Sequence, residues 1–164
     1  MSPPYQQSVG RALYRRSLYS VWKRTAPLPN MMAFDAESRE VCIVKRARTN
    51  TPLQALVLLN DVQFVEAARK LAETSMTQNR SDSAAIAWAF RSLTGRNPSA
   101  KESTILEDLL ASERHYYQGH PSDADKYISL GDTSVNKDQD RIELAAMTTV
   151  CQAIMNLDAT IWKR

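Results

Sequence analysis

The segment from Pro52 to Asn60 constrains the fold of this 164-residue chain more than any other part. Its apolar residues would cover nearly every side of a helix, namely Leu53, Ala55, Leu56, Val57, Leu58 and Leu59. A helix that is apolar all round must be buried. The Thr-Asn-Thr sequence at residues 49–51 offers capping side chains, and proline suits the first helical turn because its missing N–H is not needed there. We therefore expect this helix at the centre of the fold.

Four more helices are predicted after it, each from apolar residues at helical spacing between a capping residue and a helix breaker. Their expected limits are Asp61 to about Met76, Ser81 or Asp82 to Gly95, Ser99 to Gly119, and Asp138 or Asp140 to the C-terminal region. One further turn is expected around residues 127–130. On the first of these helices the charged residues Glu66, Arg69, Lys70 and Glu73 are expected on the side opposite the apolar one.

The sequence of the first third of the chain predicts less regular structure than the rest. Residues 1–10 are expected to be disordered, and apolar residues at helical spacing predict a short helix over residues 11–25. Pro27 and Pro29 would end that helix, and Asn30 could cap one turn. The β-branched run VCIV within residues 39–48 favours an extended or hairpin element, which is too small to form a sheet alone.

Glycine is scarce, with four residues in the whole chain, while Ala, Leu, Glu and Arg are abundant. This composition favours helices over a turn-rich β fold. The sequence therefore predicts an all-α fold. It would be an irregular bundle of five or six helices in one domain over residues 11–164, with one short extended or hairpin element near residues 39–48.

Charge is unevenly distributed along the chain. Residues 1–50 contain nine Lys and Arg against three Asp and Glu, whereas residues 51–164 contain twelve against fifteen. Basic and aromatic side chains alternate at the start of the chain and predict a docking face made of Tyr14, Arg15, Arg16, Tyr19, Trp22 and Lys23. The same mixture can stack on single-stranded nucleic acid, but it is typical of an amphipathic docking segment, and nucleic-acid binding is the less favoured interpretation.

A second group of polar residues lies between the docking face and the apolar helix. It comprises Asp35, Glu37, Arg39, Glu40, Arg46, Arg48, Thr49 and Asn50. Carboxylates beside arginines could perform acid–base chemistry or bind a sugar or phosphate. The alternative, which we favour, is a structural network of ion pairs and turns. No nucleophile–base constellation accompanies it, so no catalytic residue is predicted.

Metal and cofactor motifs are absent from the sequence. Cys42 and Cys151 are far apart and form no CxxC or CxxCH pattern; they could form a disulfide in an oxidising compartment, but two free, buried thiols are expected. Cys42, beside two basic residues, could instead be reactive. His115 and His120 have the wrong spacing for a metal pair on one helix face. No signal peptide is predicted, and no apolar run approaches the length of a membrane span.

Several segments carry a resemblance to a known family. They are RRSLYSVWKRTAP at 15–27, MMAFDAESREVC at 31–42, RARTNTPLQALVLLNDVQFVEAARKLAE at 46–73, FRSLTGRNPSAKE at 90–102 and ELAAMTTVCQAIMNLD at 143–158. In these segments the chain resembles domain of unknown function 1553, the C-terminal module of large planctomycete cytochrome-associated proteins. Met147 stands where an aromatic residue would be expected in that family.

The resemblance implies that this chain is a C-terminal piece of an exported or periplasmic bacterial protein. Haem would then lie elsewhere in the parent protein, with no cofactor or metal in this chain. The resemblance supplies no catalytic residues.

Two main functions remain open at this point. The first is a non-enzymatic structural or interaction module that docks on upstream domains of the parent, or on a partner protein, through its basic aromatic face. The second is a contribution to an exported hydrolase-like enzyme, with a site lined by Asp35, Glu37, Arg39, Glu40 and Arg48.

Overall fold

A computed structural model describes residue 8 and residues 10–15, 17–20, 28–36, 42–45 and 49–161 of the chain. Every regular element within these ranges is helical, which confirms the predicted all-α class. Two 3₁₀ turns, Gly10–Ala12 and Ser17–Tyr19, come first. They are followed by helices α1 Pro29–Ala33, α2 Pro52–Asn60, α3 Val62–Gln78, α4 Asp82–Thr94, α5 Ala100–Gly119, α6 Pro121–Ile128, α7 Arg141–Met155 and α8 Asp158–Ile161.

Six helices in the described ranges have eight or more residues, in agreement with the predicted bundle of five or six. The chain divides into two compact units, residues 1–54 and residues 55–164. None of the helices in the described ranges is long and apolar enough to cross a membrane. The prediction of one helical domain over residues 11–164 stays a prediction.

Helix α7 occupies the centre of the second unit. It is buried along nearly its whole length, and α3, α4, α5 and α6 all pack against it. Its fully buried residues include Leu144, Ala145, Ala146, Val150, Cys151 and Ile154. The small alanine side chains let neighbouring helices approach closely, while the branched residues fill the space between them.

The expectation that α2 forms the buried centre is wrong. Leu53 and Leu56 are each 57% exposed, and Leu59 is also exposed, so only Gln54 and Leu58 of this helix are buried. The central position is taken by α7, which is fifteen residues long against nine for α2. Apolar composition favours burial, but it does not decide which of two apolar helices the bundle surrounds.

The predicted helix limits are largely confirmed, because the capping residues act as expected. Asp61 accepts the Gln63 N–H, and Asp140 accepts the N–H groups of Ile142 and Glu143. Ser99 and Glu102 form a capping box at the start of α5. The αL backbone of Gly95 ends α4. Helix α6 is longer than predicted, since a full helix forms where one turn was expected.

Proline explains that difference. Pro121 ends α5, as expected, and also opens α6 at its first position, where the fixed φ of proline suits a helix. Similarly, Pro29 rather than Asn30 begins α1.

The predicted helix over residues 11–25 does not form where the chain is described. Two 3₁₀ turns lie there instead, separated by a bend, and Gly10 has a positive φ of 58°. A short helix has a high nucleation cost, and its stability comes from packing of an apolar face that this segment leaves exposed. The remainder of that prediction, residues 21–25, lies outside the described residues.

Two further predictions in this region are only partly covered. Of residues 1–10, which were expected to be disordered, only Ser8 and Gly10 are described. Of the extended element near residues 39–48, the described part, residues 42–45, contains no strand.

Candidate functional site

Asp35 and Thr49 are the two members of the predicted polar cluster that the structure brings together. One carboxylate oxygen of Asp35, Oδ2, accepts the Thr49 backbone N–H at 2.9 Å and lies 2.7 Å from the Thr49 hydroxyl. Asn50 is exposed. The other five members lie outside the described residues, namely Glu37, Arg39, Glu40, Arg46 and Arg48.

Asp35 has a left-handed backbone, with φ of 56°, because it ends α1. Its own N–H donates to the Met32 carbonyl at 3.3 Å, and the next N–H, of Ala36, donates to the Met31 carbonyl at 2.9 Å. These two bonds form the Schellman motif, whose left-handed position is usually a glycine. The aspartate is therefore in a strained position that aspartate tolerates better than most residues, and there its side chain reaches Thr49.

The N-terminus of α2 continues this hydrogen-bond chain. Thr51 N–H donates to Gln54 Oε1 at 3.1 Å, and Gln54 N–H donates to Thr51 Oγ1 at 3.3 Å. This reciprocal pair is a capping box that was not predicted, although its sequence signal, Thr-Pro-Leu-Gln, is present at residues 51–54. The Gln54 side-chain amide also donates to Thr49 Oγ1 at 3.1 Å, and Gln54 is fully buried.

Asp35, Thr49, Gln54 and Thr51 therefore form one continuous chain of hydrogen bonds. It joins the end of α1 to the start of α2. A carboxylate on a hydroxyl is also the arrangement in which a base can activate a nucleophile. Here the hydroxyl is engaged on both sides, because it donates to Asp35 and accepts from Gln54. This geometry fits a structural role best, in which the hydrogen bonds hold the end of α1 to the start of α2.

The described part of the predicted docking face is exposed. Tyr19 is 69% exposed, and Tyr14 and Arg15 are also classed as exposed. Leu18, which was predicted as an apolar position of a helix and not as part of the docking face, is 78% exposed between them. The remaining members, Arg16, Trp22 and Lys23, lie outside the described residues.

A buried charged group on α3 was not predicted. Glu66, Arg69 and Glu73 were expected on the outer face of that helix, but all three are buried. The Glu66 carboxylate accepts the backbone N–H groups of Asp132 and Thr133 at 3.1 and 2.9 Å. Because these partners lie more than sixty residues away, no local pattern could have revealed them.

Arg69 completes the attachment of this loop. Its guanidinium donates to the Thr133 carbonyl at 2.8 Å, to the Ser134 carbonyl at 3.3 Å and to the Glu73 carboxylate at 2.9 Å. Lys70, at the edge, pairs with Glu73 at 2.6 Å. Two carboxylates and two cations thus balance, and the group holds the loop after α6 against α3.

The cysteines and histidines form no metal centre in the described part of the chain, where no group of three potential ligands occurs. Both cysteines are free, as expected, but Cys42 is exposed rather than buried. Complete burial raises the pKa of the Cys151 thiol to about 12. His115 and His120 are exposed and line a shallow depression of 510 Å³ beside Tyr116, on whose ring His120 stacks.

Comparison with known proteins gives one match. A family model described as PSD1, protein of unknown function (DUF1553), matches residues 2–110. The match includes the first four of the resembling segments given above and ends before the fifth, at residues 143–158. Neither the curated proteins nor the solved structures contain a match to this chain.

Proposed function

This chain belongs to the DUF1553 family of proteins of unknown function, and we propose that it is a structural or interaction module without catalytic activity of its own. It docks on preceding domains of a larger exported bacterial protein, or on a partner protein, through its basic aromatic N-terminal face. In this proposal the parent is a planctomycete cytochrome-associated protein, and any haem belongs to other parts of it.

The distribution of exposed apolar side chains carries this proposal. Ten of the thirteen large apolar side chains that are exposed in the described residues lie between Tyr14 and Val62. Three lie in the following hundred residues, where α7 and its neighbours bury their apolar faces against one another. Surfaces with many exposed apolar side chains mark sites of protein–protein contact. The first part of the chain is therefore the part that supports docking.

Charge supports the same face and indicates the character of its partner. Residues 1–50 have six more basic than acidic residues, and Arg15 is exposed beside Tyr14 and Leu18. One of the three acidic residues in this region, Asp35, is held by Thr49. An apolar face bordered by cations favours a partner surface that is apolar with an acidic border.

The test measures binding of this chain to the separately produced polypeptide that precedes it in the parent protein. Charge reversal by Arg15→Glu should weaken binding by about tenfold, because it removes an attractive charge at the rim of the interface and also adds a repulsive one. Arg80→Glu is the matched control, because Arg80 is an exposed arginine in the loop between α3 and α4. Equal affinities for the two variants would exclude docking through this face.

A second candidate function rests on the Asp35–Thr49 contact. The pair would contribute to the site of an exported hydrolase-like enzyme, together with Glu37, Arg39, Glu40 and Arg48. The left-handed backbone of Asp35 favours it, because strained residues are enriched at functional sites. Unchanged activity of the parent protein after Asp35→Asn and Glu40→Gln would eliminate this candidate.

A further inference from the structure

The segment Cys42–Lys45 has the composition of a β-strand but forms no strand in this chain. Its sequence, Cys-Ile-Val-Lys, contains two adjacent β-branched residues, which favour extended structure. All four residues are exposed, and Val44 has a relative accessibility of 105%, so no described residue covers it. This tetrapeptide therefore exposes two apolar side chains that would favour burial.

The backbone of the same segment also has no hydrogen-bond partner among the described residues. The hydrogen bonds of the described chain include none to the N–H or carbonyl groups of Cys42, Ile43, Val44 or Lys45. Backbone donors and acceptors without protein partners are available to another polypeptide. Val44 and Lys45 form a bend in the chain as described, so the segment would extend on binding. A segment that extends with free backbone groups can join the edge of a sheet as an additional strand.

We propose that Cys42–Lys45 pairs as an added β-strand with a free sheet edge of the docking partner. This inference rests on the proposed docking function and specifies how the partner is recognised. Main-chain hydrogen bonds would provide affinity, and alternate side chains would provide specificity. Cys42 and Val44 would lie on one face of the added strand, with Ile43 and Lys45 on the other.

The partner must supply a sheet that already exists. The described residues of this chain contain no strand, so a second copy could offer only the same short segment. Two such segments would form an isolated two-stranded ribbon, which is marginal in water at best. A partner sheet with at least one free edge avoids this difficulty.

Charge specifies that edge further. Residues 39–48 contain four basic residues and one acidic residue. Opposite charges stabilise pairs of residues on neighbouring strands, whereas like charges directly opposite one another destabilise them. The edge that receives this segment should therefore be bordered by aspartate or glutamate.

The test uses proline substitutions at adjacent positions, with the preceding polypeptide of the parent protein as the binding probe. In a paired strand the N–H groups of alternate residues point to the partner, and proline removes that N–H. Of Ile43→Pro and Val44→Pro, one should weaken binding by about tenfold or more and the other by less than about threefold. Ile43→Thr and Val44→Thr are the controls that keep both β-branching and the N–H.

Cys42 provides a second readout that needs no substitution. It is exposed, whereas Cys151 is completely buried, so a thiol reagent applied to the folded chain should label Cys42 first. Saturation with the preceding polypeptide should slow labelling of Cys42 at least about tenfold, as expected for a side chain that becomes enclosed at an interface.

The outcomes separate this inference from the docking function. An alternating effect of the two proline variants, with protection of Cys42, supports strand addition. If wild-type chain binds but both proline variants bind equally well or equally poorly, strand addition is overturned and docking stands. If the wild-type chain does not bind, the docking function fails and strand addition fails with it.

Discussion

The Asp35 carboxylate is bonded by both the backbone N–H and the hydroxyl of Thr49, fourteen residues further along the chain. This contact is made from a left-handed position that would favour glycine. It connects the end of α1 to the residues that cap α2. The second unit has an apolar core around α7.

Substitution of Asp35 should separate the side-chain contact from the backbone strain. Asp35→Ala and Asp35→Gly both lose the bonds to Thr49, each bond to a charged group being worth about 1.5–3 kcal/mol. Glycine has no penalty at this φ, so Asp35→Gly should be about 1 kcal/mol less destabilising than Asp35→Ala. Hydrogen exchange of the Ala36 amide, which donates to the Met31 carbonyl in the Schellman motif of both variants, measures this local stability. Equal exchange rates in the two variants would contradict the claim that the left-handed backbone at position 35 is strained.

Gly131 should be intolerant of any side chain. Its φ is 97°, and a Cβ at this position would lie 2.6 Å from Glu66 Cδ, which is itself buried and bonded to the same loop. Gly131→Ala should therefore destabilise the chain by about 2–4 kcal/mol, from overpacking and from backbone strain.

The matched control for that substitution is Gly119→Ala. Gly119 ends α5, and a Cβ there meets no atom within 4 Å. This variant should be neutral or stabilised by up to about 1 kcal/mol. Urea unfolding monitored by circular dichroism compares the two. A small effect at both positions would mean that the loop is not held against Glu66.

Removal of Arg69 should be far more costly than removal of its neighbour Lys70. Arg69→Met removes the buried donor to the Thr133 carbonyl, while the Ser134 carbonyl and the Glu73 carboxylate keep the partly exposed Lys70 as a donor. The loss of the buried cation should cost about 3–5 kcal/mol. Lys70→Met removes a partly exposed donor to the same carboxylate and to the Ser134 carbonyl, both of which keep Arg69, and it should cost about 1 kcal/mol or less. Comparable unfolding free energies for the two variants would show that the buried group does not hold the loop.

Stability should decrease as pH rises above 9. Burial raises the pKa of the Cys151 thiol from 9.0 to about 12, so between these values the folded chain retains a proton that the unfolded chain releases. Protonation therefore favours the folded state below pH 9, and this contribution is lost as pH approaches 12. The slope from one such proton is at most about 1.4 kcal/mol per pH unit.

Cys151→Ala tests this origin directly. The substitution lowers stability at every pH through a small cavity, but the slope between pH 9 and 10 should become shallower. Above pH 10 the half-buried Tyr127, whose pKa is also raised by desolvation, adds its own pH dependence to the stability. An unchanged slope between pH 9 and 10 in the variant would assign the effect to another group.

The helices could be predicted from the sequence because their signals are local. Asp61, Ser99 and Asp140 each bond a backbone N–H two or three residues away, so the residues that determine a helix start are adjacent in sequence. The exposure of most of α2 could not be predicted in this way. Both α2 and α7 are apolar enough to be central, and α7, against which α3, α4, α5 and α6 pack, occupies the centre.

The same distinction applies to the two polar sites: one could be predicted from nearby residues in the sequence, and the other could not. Asp35 and Thr49 were predicted in one cluster because their sequence region is dense in polar residues. The left-handed backbone of Asp35, from which its side chain reaches Thr49, was not predicted. Glu66 and Arg69 were placed on a solvated face, because charged residues are rarely buried without partners. Their partners belong to a loop more than sixty residues away, and only the tertiary fold brings them together.

Exposed apolar side chains in the first part of the chain should be covered by a partner in the parent protein. Carbene labelling followed by mass spectrometry measures this directly in the isolated chain and in the complete parent protein. Leu18, Tyr19 and Leu56 should be labelled in the isolated chain and strongly protected in the parent. Ile105, exposed on α5, should be labelled equally in both. Equal labelling of Leu18 and Tyr19 in the two samples would contradict the account.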